Sequence, residues 1–71
     1  MTEKEFIERI KDLLLIEGDA DIDYFIKIDS LANLILIQFY DEYFGFKLTS
    51  ETLNELKTIG DLIQLIKEKL H

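Results

Sequence analysis

The stretch IDSLANLILIQFYDEYF, Ile28–Phe44, decides the fold. Asp29 or Ser30 can cap a helix here, because a short side-chain oxygen accepts hydrogen bonds from the free N–H groups of a first turn. Apolar residues then continue through Leu31, Leu34, Leu36, Ile37, Tyr40 and Phe44, and neither Pro nor Gly interrupts before Gly45. The spacing predicts one helix of about four turns. Gln38, Asp41 and Glu42 lie three and four residues apart and form a polar stripe. Extending that stripe toward the N-terminus lands on Leu34, Leu31 and Ile35, all aliphatic. The greasy end of the helix is thus the end beside Ser30, and a serine so placed, after an acidic loop, is the candidate for chemistry.

The rest of the chain reads as scaffold. Its 71 residues predict one small domain, near the size at which a single core is only marginally stabilising, and no cysteine is present for a disulfide or a thiolate metal site. With 48% hydrophobic residues, three Gly and no Pro, the expected fold class is all-α, a compact bundle of helices. A net charge of −7 argues against nucleic acid and anionic membranes, which need cationic patches, and suits a partner with a basic one. Met1 to Glu8 is mostly polar, without a signal-type apolar region, and no run approaches a membrane span, so the expected location is cytoplasmic.

Outward from the central helix, Thr2 and Glu5 match a capping box, and Phe6, Ile7, Ile10, Leu13 and Leu14 keep one apolar face. A first helix is expected from about Thr2 to about Ile16, with Gly18 placed to stop it. The loop that follows holds Glu17, Asp19, Asp21 and Asp23. The last three alternate as in the first half of an EF-hand, but Tyr24 stands where that loop needs Gly and Ser30 where it needs the closing Glu, so no metal site is expected. Ile22, Tyr24, Phe25, Ile26 and Ile28 cannot all be exposed, and some must fold down on the core. After Phe44, Thr49 or Ser50 can cap a short third helix carrying Leu53 and Leu56. Thr58 can cap a last one, with Asp61 favourable to its dipole and a stripe of Ile59, Leu62, Ile63, Ile66 and Leu70. Tyr24, Phe39, Tyr40, Tyr43 and Phe44 read as packing, since no basic groove accompanies them. Glu5 and Arg9, four apart, read as ordinary solvation. His71, the only histidine, reads as a frayed terminus. With no Cys, that single terminal His and no evident base for Ser30, no nucleophile dyad can be assembled, and an enzyme is not expected.

Helix, long loop, Asp29-Ser30-Leu31 opening a helix, short helix, and Thr58-Ile59-Gly60-Asp61-Leu62 opening a final helix: this order resembles the acyl carrier protein family over essentially the whole chain, residues 1–71. The resemblance implies a small bundle of three longer helices and one short one. It implies that Ser30, flanked by Asp29 and Leu31, receives 4'-phosphopantetheine from coenzyme A through a phosphopantetheinyl transferase. The arm's thiol then carries an acyl group as a thioester, and the carrier delivers it to loading and transferring enzymes. A phosphate attached at a helix N-terminus is stabilised by the free N–H groups and the dipole. The interior between the last three helices is expected to be able to shelter a fatty chain, and Asn33 either lines the arm's path or bonds a loop backbone.

Two departures shape the expectation. Lys27 stands where the family usually has Gly, and Ala32 and Ile35 stand where its fatty-acid-synthesis members carry acids that meet basic patches on partners. Only Asp41 and Glu42 keep the acidic character. The departures favour a specialised carrier over a housekeeping role in fatty acid synthesis. The partner-binding face is expected to comprise Leu31, Leu34, Ile35, Gln38, Asp41 and Glu42. Leu31 and Leu34 are read as docking residues, and Ile35 stays open between docking and core, with Phe25 and Ile28 able to fold over part of the patch. An aminoacyl or polyketide-type cargo on the same attachment is one alternative. An unmodified carrier-like interaction module is the other, an otherwise monomeric chain able to self-associate through Leu31, Leu34 and Ile35.

Overall fold

Thr2 and Glu5 open the first helix by satisfying each other: the Glu5 N–H donates to Thr2 Oγ1 at 3.1 Å and the Thr2 N–H to Glu5 Oε1 at 3.3 Å. In the computed structural model, which describes residues 1–70, that helix is α1 (Glu3–Leu13). It is followed by α2 (Ser30–Phe44), α3 (Ser50–Glu55), α4 (Ile59–Leu65) and a closing 3-10 turn at Lys67–Lys69. The all-α bundle expected from the composition is present, with the four helices that the resemblance implies, and among the described residues the one piece of strand-like pairing is an isolated bridge between Phe25 and Thr58. His71 lies outside the described residues. Among those described, no helix is long and apolar enough to cross a membrane.

Two helices end earlier than their apolar spacing predicts. The last residue of α1 is Leu13 rather than Ile16, because the chain turns at Leu15, which adopts a left-handed conformation at φ 55°. The Ile16 N–H then closes back on the Lys11 carbonyl at 2.9 Å and satisfies the helix end. Gly18 takes its own positive φ of 78° further along, inside the loop. Leucine in that conformation costs on the order of 1 kcal/mol that glycine would not.

Helix α4 stops at Leu65 although the apolar stripe runs on to Leu70. The reason is a bond from another helix. The Tyr40 hydroxyl of α2 donates to the Leu62 carbonyl at 2.6 Å in the buried core, and the Ile66 N–H turns instead to Ile63 O at 3.1 Å. From there the backbone tightens into the 3-10 turn.

Around Tyr40 the core is aromatic on one side and aliphatic on the other. The Phe6, Phe39, Phe44 and Phe46 rings lie 5.7–6.1 Å from the Tyr40 ring, all near edge-on. Leu36, Leu53, Ile59, Leu62 and Ile66 are fully or almost fully buried against this cluster. Tyr43 and Tyr24 depart from the packing expectation: both are exposed, Tyr43 with the Arg9 guanidinium 5.1 Å from its ring centroid. Burial pushes the Tyr40 pKa well above the ordinary phenol value, so the hydroxyl remains a donor throughout the working pH range. Replacing Tyr40 with Phe keeps the ring and leaves the Leu62 carbonyl buried without its donor. Urea unfolding is expected to show a loss of about 1–3 kcal/mol.

Candidate functional site

Asp29 is the cap of α2, and Ser30 is its first helical residue. The Asp29 carboxylate accepts from the Ala32 N–H at 2.8 Å, and its carbonyl accepts from the Asn33 N–H at 2.9 Å. This assigns the two candidate caps: the acid takes the backbone work and leaves the serine free. Ser30 is exposed, and among the described residues its hydroxyl has no hydrogen-bond partner. The helix end beside it carries no first-turn acid of its own.

What holds this end in place is the segment before it. The Ile26 N–H donates to Lys57 O at 2.9 Å, the Ile59 N–H to Tyr24 O at 3.1 Å and the Gly60 N–H to Ile22 O at 2.9 Å, so residues 22–26 are laced along the start of α4. The lacing explains the glycine: a Cβ on Gly60 would stand 3.0 Å from the Ile22 carbonyl oxygen and 3.4 Å from Ile22 Cβ. It also explains the acid that follows. Asp61 and Thr58 form a reciprocal capping box, and Asp61 Oδ2 accepts from the Lys57 N–H at 2.9 Å as well. Thr58 and Asp61 thus fix the junction to which the loop is tied. Of the loop's apolar residues, Ile26 and Ile28 fold down on the core, whereas Ile22, Tyr24 and Phe25 stay exposed. No group of three or more His, Cys, Asp or Glu side chains among the described residues is placed to hold a metal ion. Asp21 instead closes a local turn, accepting from the Ile22 N–H at 2.7 Å.

Along the outer face of α2, the two leucines beside the serine are open to solvent, Leu31 by 66% and Leu34 by 67%. Phe25, itself 75% exposed, does not cover them. Gln38, Asp41 and Glu42 are exposed one to two turns further on, with the Gln38 amide donating to Glu42 at 3.0 Å. Ile35 is half-buried at the edge, lining a depression with Leu13, Leu31 and Ala32. Ala32 itself is buried, so an acid at that position would lose its hydration.

On the Ser30 flank, Leu34, Ile37, Phe46 and Leu48 line an open groove of about 660 Å³ rimmed by Gln38, Asp41, Lys47 and Thr49. Leu34 and Ile37 follow Ser30 by four and seven residues and so share its side of the helix. The groove lies on the surface between α2 and the 46–49 linker, whereas Leu36 of α2, Leu53 of α3 and Ile59 and Leu62 of α4 are fully buried. Asn33, one turn after the serine, is half-buried, its Oδ1 enclosed without a hydrogen-bond partner, so it does not bond a loop backbone. The groove and this unsatisfied amide are tertiary features, invisible in the residue pattern.

No protein-family model and no solved structure matches the chain. Over its full length the chain is similar to the acyl carrier protein of Petrotoga mobilis, 26% identical over 80 aligned positions that take in 100% of this chain and 94% of that one. It is similar to the acyl carrier protein of Phenylobacterium zucineum at 24% over 75 positions, covering 93% of this chain and 95% of the other.

The Asp61 junction carries a pH dependence of defined sign. The Lys57 and Thr58 backbone N–H groups hold the Asp61 carboxyl below its ordinary value of 3.8. Its carboxylate therefore adds stability above that value, and the stability is lost as the pH falls through the lower folded value. Asp61→Asn is expected to lower the melting temperature at pH 7, and its deficit against the native chain is expected to shrink as the pH is taken below the ordinary aspartate range.

Proposed function

We propose that this chain is a carrier: Ser30 bears 4'-phosphopantetheine, and acyl intermediates ride on it as thioesters to partner enzymes. The observation that carries the reading is the exposed, unpartnered Ser30 hydroxyl at the first position of α2, in a chain similar along its length to acyl carrier proteins. The residues around it fit the group. Asp29 caps Ala32 and leaves the Ser30 and Leu31 N–H groups facing outward at the positive end of the helix dipole, where a serine-linked phosphate is stabilised. Leu34, Ile37, Phe46 and Leu48 offer an apolar resting place one to two turns from the attachment. When bound, the arm supplies the thiol that a chain without cysteine cannot. The chain itself orients and shelters, and the bond-making belongs to the partners.

The partners include a phosphopantetheinyl transferase and the enzymes that load and unload the arm. Their docking face is Leu31, Leu34 and Ile35 near the serine and Gln38, Asp41 and Glu42 beyond it. With Ala32 buried and Ile35 half-buried, the serine-proximal part of this face is aliphatic, so association there draws on burial of apolar area at roughly 25 cal/mol per Å² rather than on charge. That supports a dedicated partner set and a specialised pathway, worked in the cytoplasm. The apolar groove lining favours a hydrocarbon cargo over an aminoacyl one.

Incubation with coenzyme A, magnesium and a broad-specificity phosphopantetheinyl transferase tests the reading by intact mass. The native chain is expected to gain one phosphopantetheine, and Ser30→Ala none. A folded native chain that gains nothing would overturn the proposal.

A further inference from the structure

Lys27 is the one cation among the residues that line two adjoining depressions on the α1 side of Ser30. Its place is fixed by its neighbours. The Ile26 N–H is bonded to the Lys57 carbonyl, and Ile26 and Ile28 both fold down on the core, so the side chain between them turns outward and is exposed. Among the described residues Leu15 is the only non-glycine with a positive φ, so the backbone at Lys27 asks for no glycine and leaves the position open to a long side chain. The depression nearer the serine is shared with Asp29, Leu31 and Ala32, which flank Ser30. Leu14 and Leu15 line both depressions and give the lysine stem an aliphatic bed.

The ammonium is unspent. Two acids share the depressions with it, Glu17 and Asp29, and among the described residues it forms an ion pair with neither. Asp29 is turned to the Ala32 N–H instead. We infer that Lys27 is a positioning residue of the attachment site, its ammonium pairing with the phosphate that phosphopantetheine places on Ser30; the inference rests on the carrier reading. Charge balance calls for such a pairing. Attachment sets a further negative charge one residue from the Asp29 carboxylate, in a chain that already carries −7. The α2 dipole that would offset this charge is already partly met by Asp29. Three residues of chain span at most about 11 Å, within the combined reach of a lysine stem and a group carried on the Ser30 hydroxyl. Pairing there holds the root of the arm against the bundle and leaves its thiol end to the partners.

The native chain, Lys27→Gln and Lys27→Arg are loaded with coenzyme A and a broad-specificity phosphopantetheinyl transferase, with intact mass confirming the gain and circular dichroism the fold. An amine-acylating reagent then labels loaded and unloaded native chain, and peptide masses report each lysine. Lys27 is expected to react roughly two- to fivefold more slowly once Ser30 is loaded, because a paired ammonium gives up its proton less readily. Lys4 and Lys67, both exposed, are expected to react alike in the two forms. The protection is expected to vanish in molar sodium chloride, which screens an exposed pair. In phosphorus NMR, Lys27→Gln is expected to move the phosphodiester resonance and Lys27→Arg to return it toward the native position. A loaded chain whose Lys27 is labelled as fast as before, or whose phosphorus resonance ignores Lys27→Gln, overturns this inference and leaves the carrier reading standing. A folded native chain that gains no mass overturns both.

Discussion

The hydrogen bond from the Tyr40 hydroxyl to the Leu62 carbonyl is the constraint from which much of this small structure follows. It joins α2 to α4 across 22 residues of sequence, and among the described residues every other fully buried side chain of the core is apolar. By taking the Leu62 carbonyl it ends α4 one turn before its apolar spacing would, and the backbone beyond tightens into a 3-10 turn. The same ring is the hub of the aromatic cluster formed by Phe6, Phe39, Phe44 and Phe46. A chain of 71 residues has little apolar area to spare. One directional bond at the centre adds specificity that aliphatic packing of this size supplies poorly.

From that centre the order passes outward to Ser30 by way of backbone bonds. The start of α4, fixed by Thr58 and Asp61, receives the loop through Ile22, Tyr24 and Ile26, and the loop delivers Asp29 to the head of α2. Division of labour at that head follows from side-chain length and charge. The aspartate reaches the Ala32 N–H and keeps its charge against the helix dipole, and the serine, one residue on, is left with an uncommitted hydroxyl. The attachment role proposed for Ser30 requires a residue held in position by its neighbours that spends none of its own bonding capacity, and the Asp29-Ser30 pair meets both conditions.

The surfaces on the two sides of Ser30 differ in kind. Toward the 46–49 linker, Leu34, Ile37, Phe46 and Leu48 form a concave groove suited to a tethered apolar group. Toward α1, Leu15, Phe25 and Leu31 form an exposed apolar strip. Acidic side chains, which dominate the chain's net charge, enter the outer face of α2 only at Asp41 and Glu42, about 16 Å of helix rise beyond the serine. For the partners proposed above, long-range attraction by those acids and short-range burial of the leucines would act at different distances from Ser30, so one that lacks the apolar complement would gain little near the serine.

Much of this was legible in the residues alone. Periodicity located all four helices, Thr2, Thr58 and the Asp29-Ser30 pair marked their starts, and the break in the polar stripe placed Leu31 and Leu34 beside the serine, where the fold leaves both exposed. These are local properties: a cap acts over three residues and a helical face over four, and both distances are written in the sequence. Tertiary structure decided the rest, because it depends on which segments meet. The early ends of α1 and α4 come from a left-handed Leu15 and from a tyrosine on another helix, neither of which alters the apolar spacing of the helix that it ends. The close approach of Ile22 that requires Gly60, the exposure of Phe25 against the burial of Ile26, and the enclosure of the Asn33 oxygen all arise from how the loop lies on the bundle. The sequence determined the elements and the serine that heads α2; only packing could decide what stands around that serine, since the residues that shape its surroundings come from 17 positions before it to 19 after.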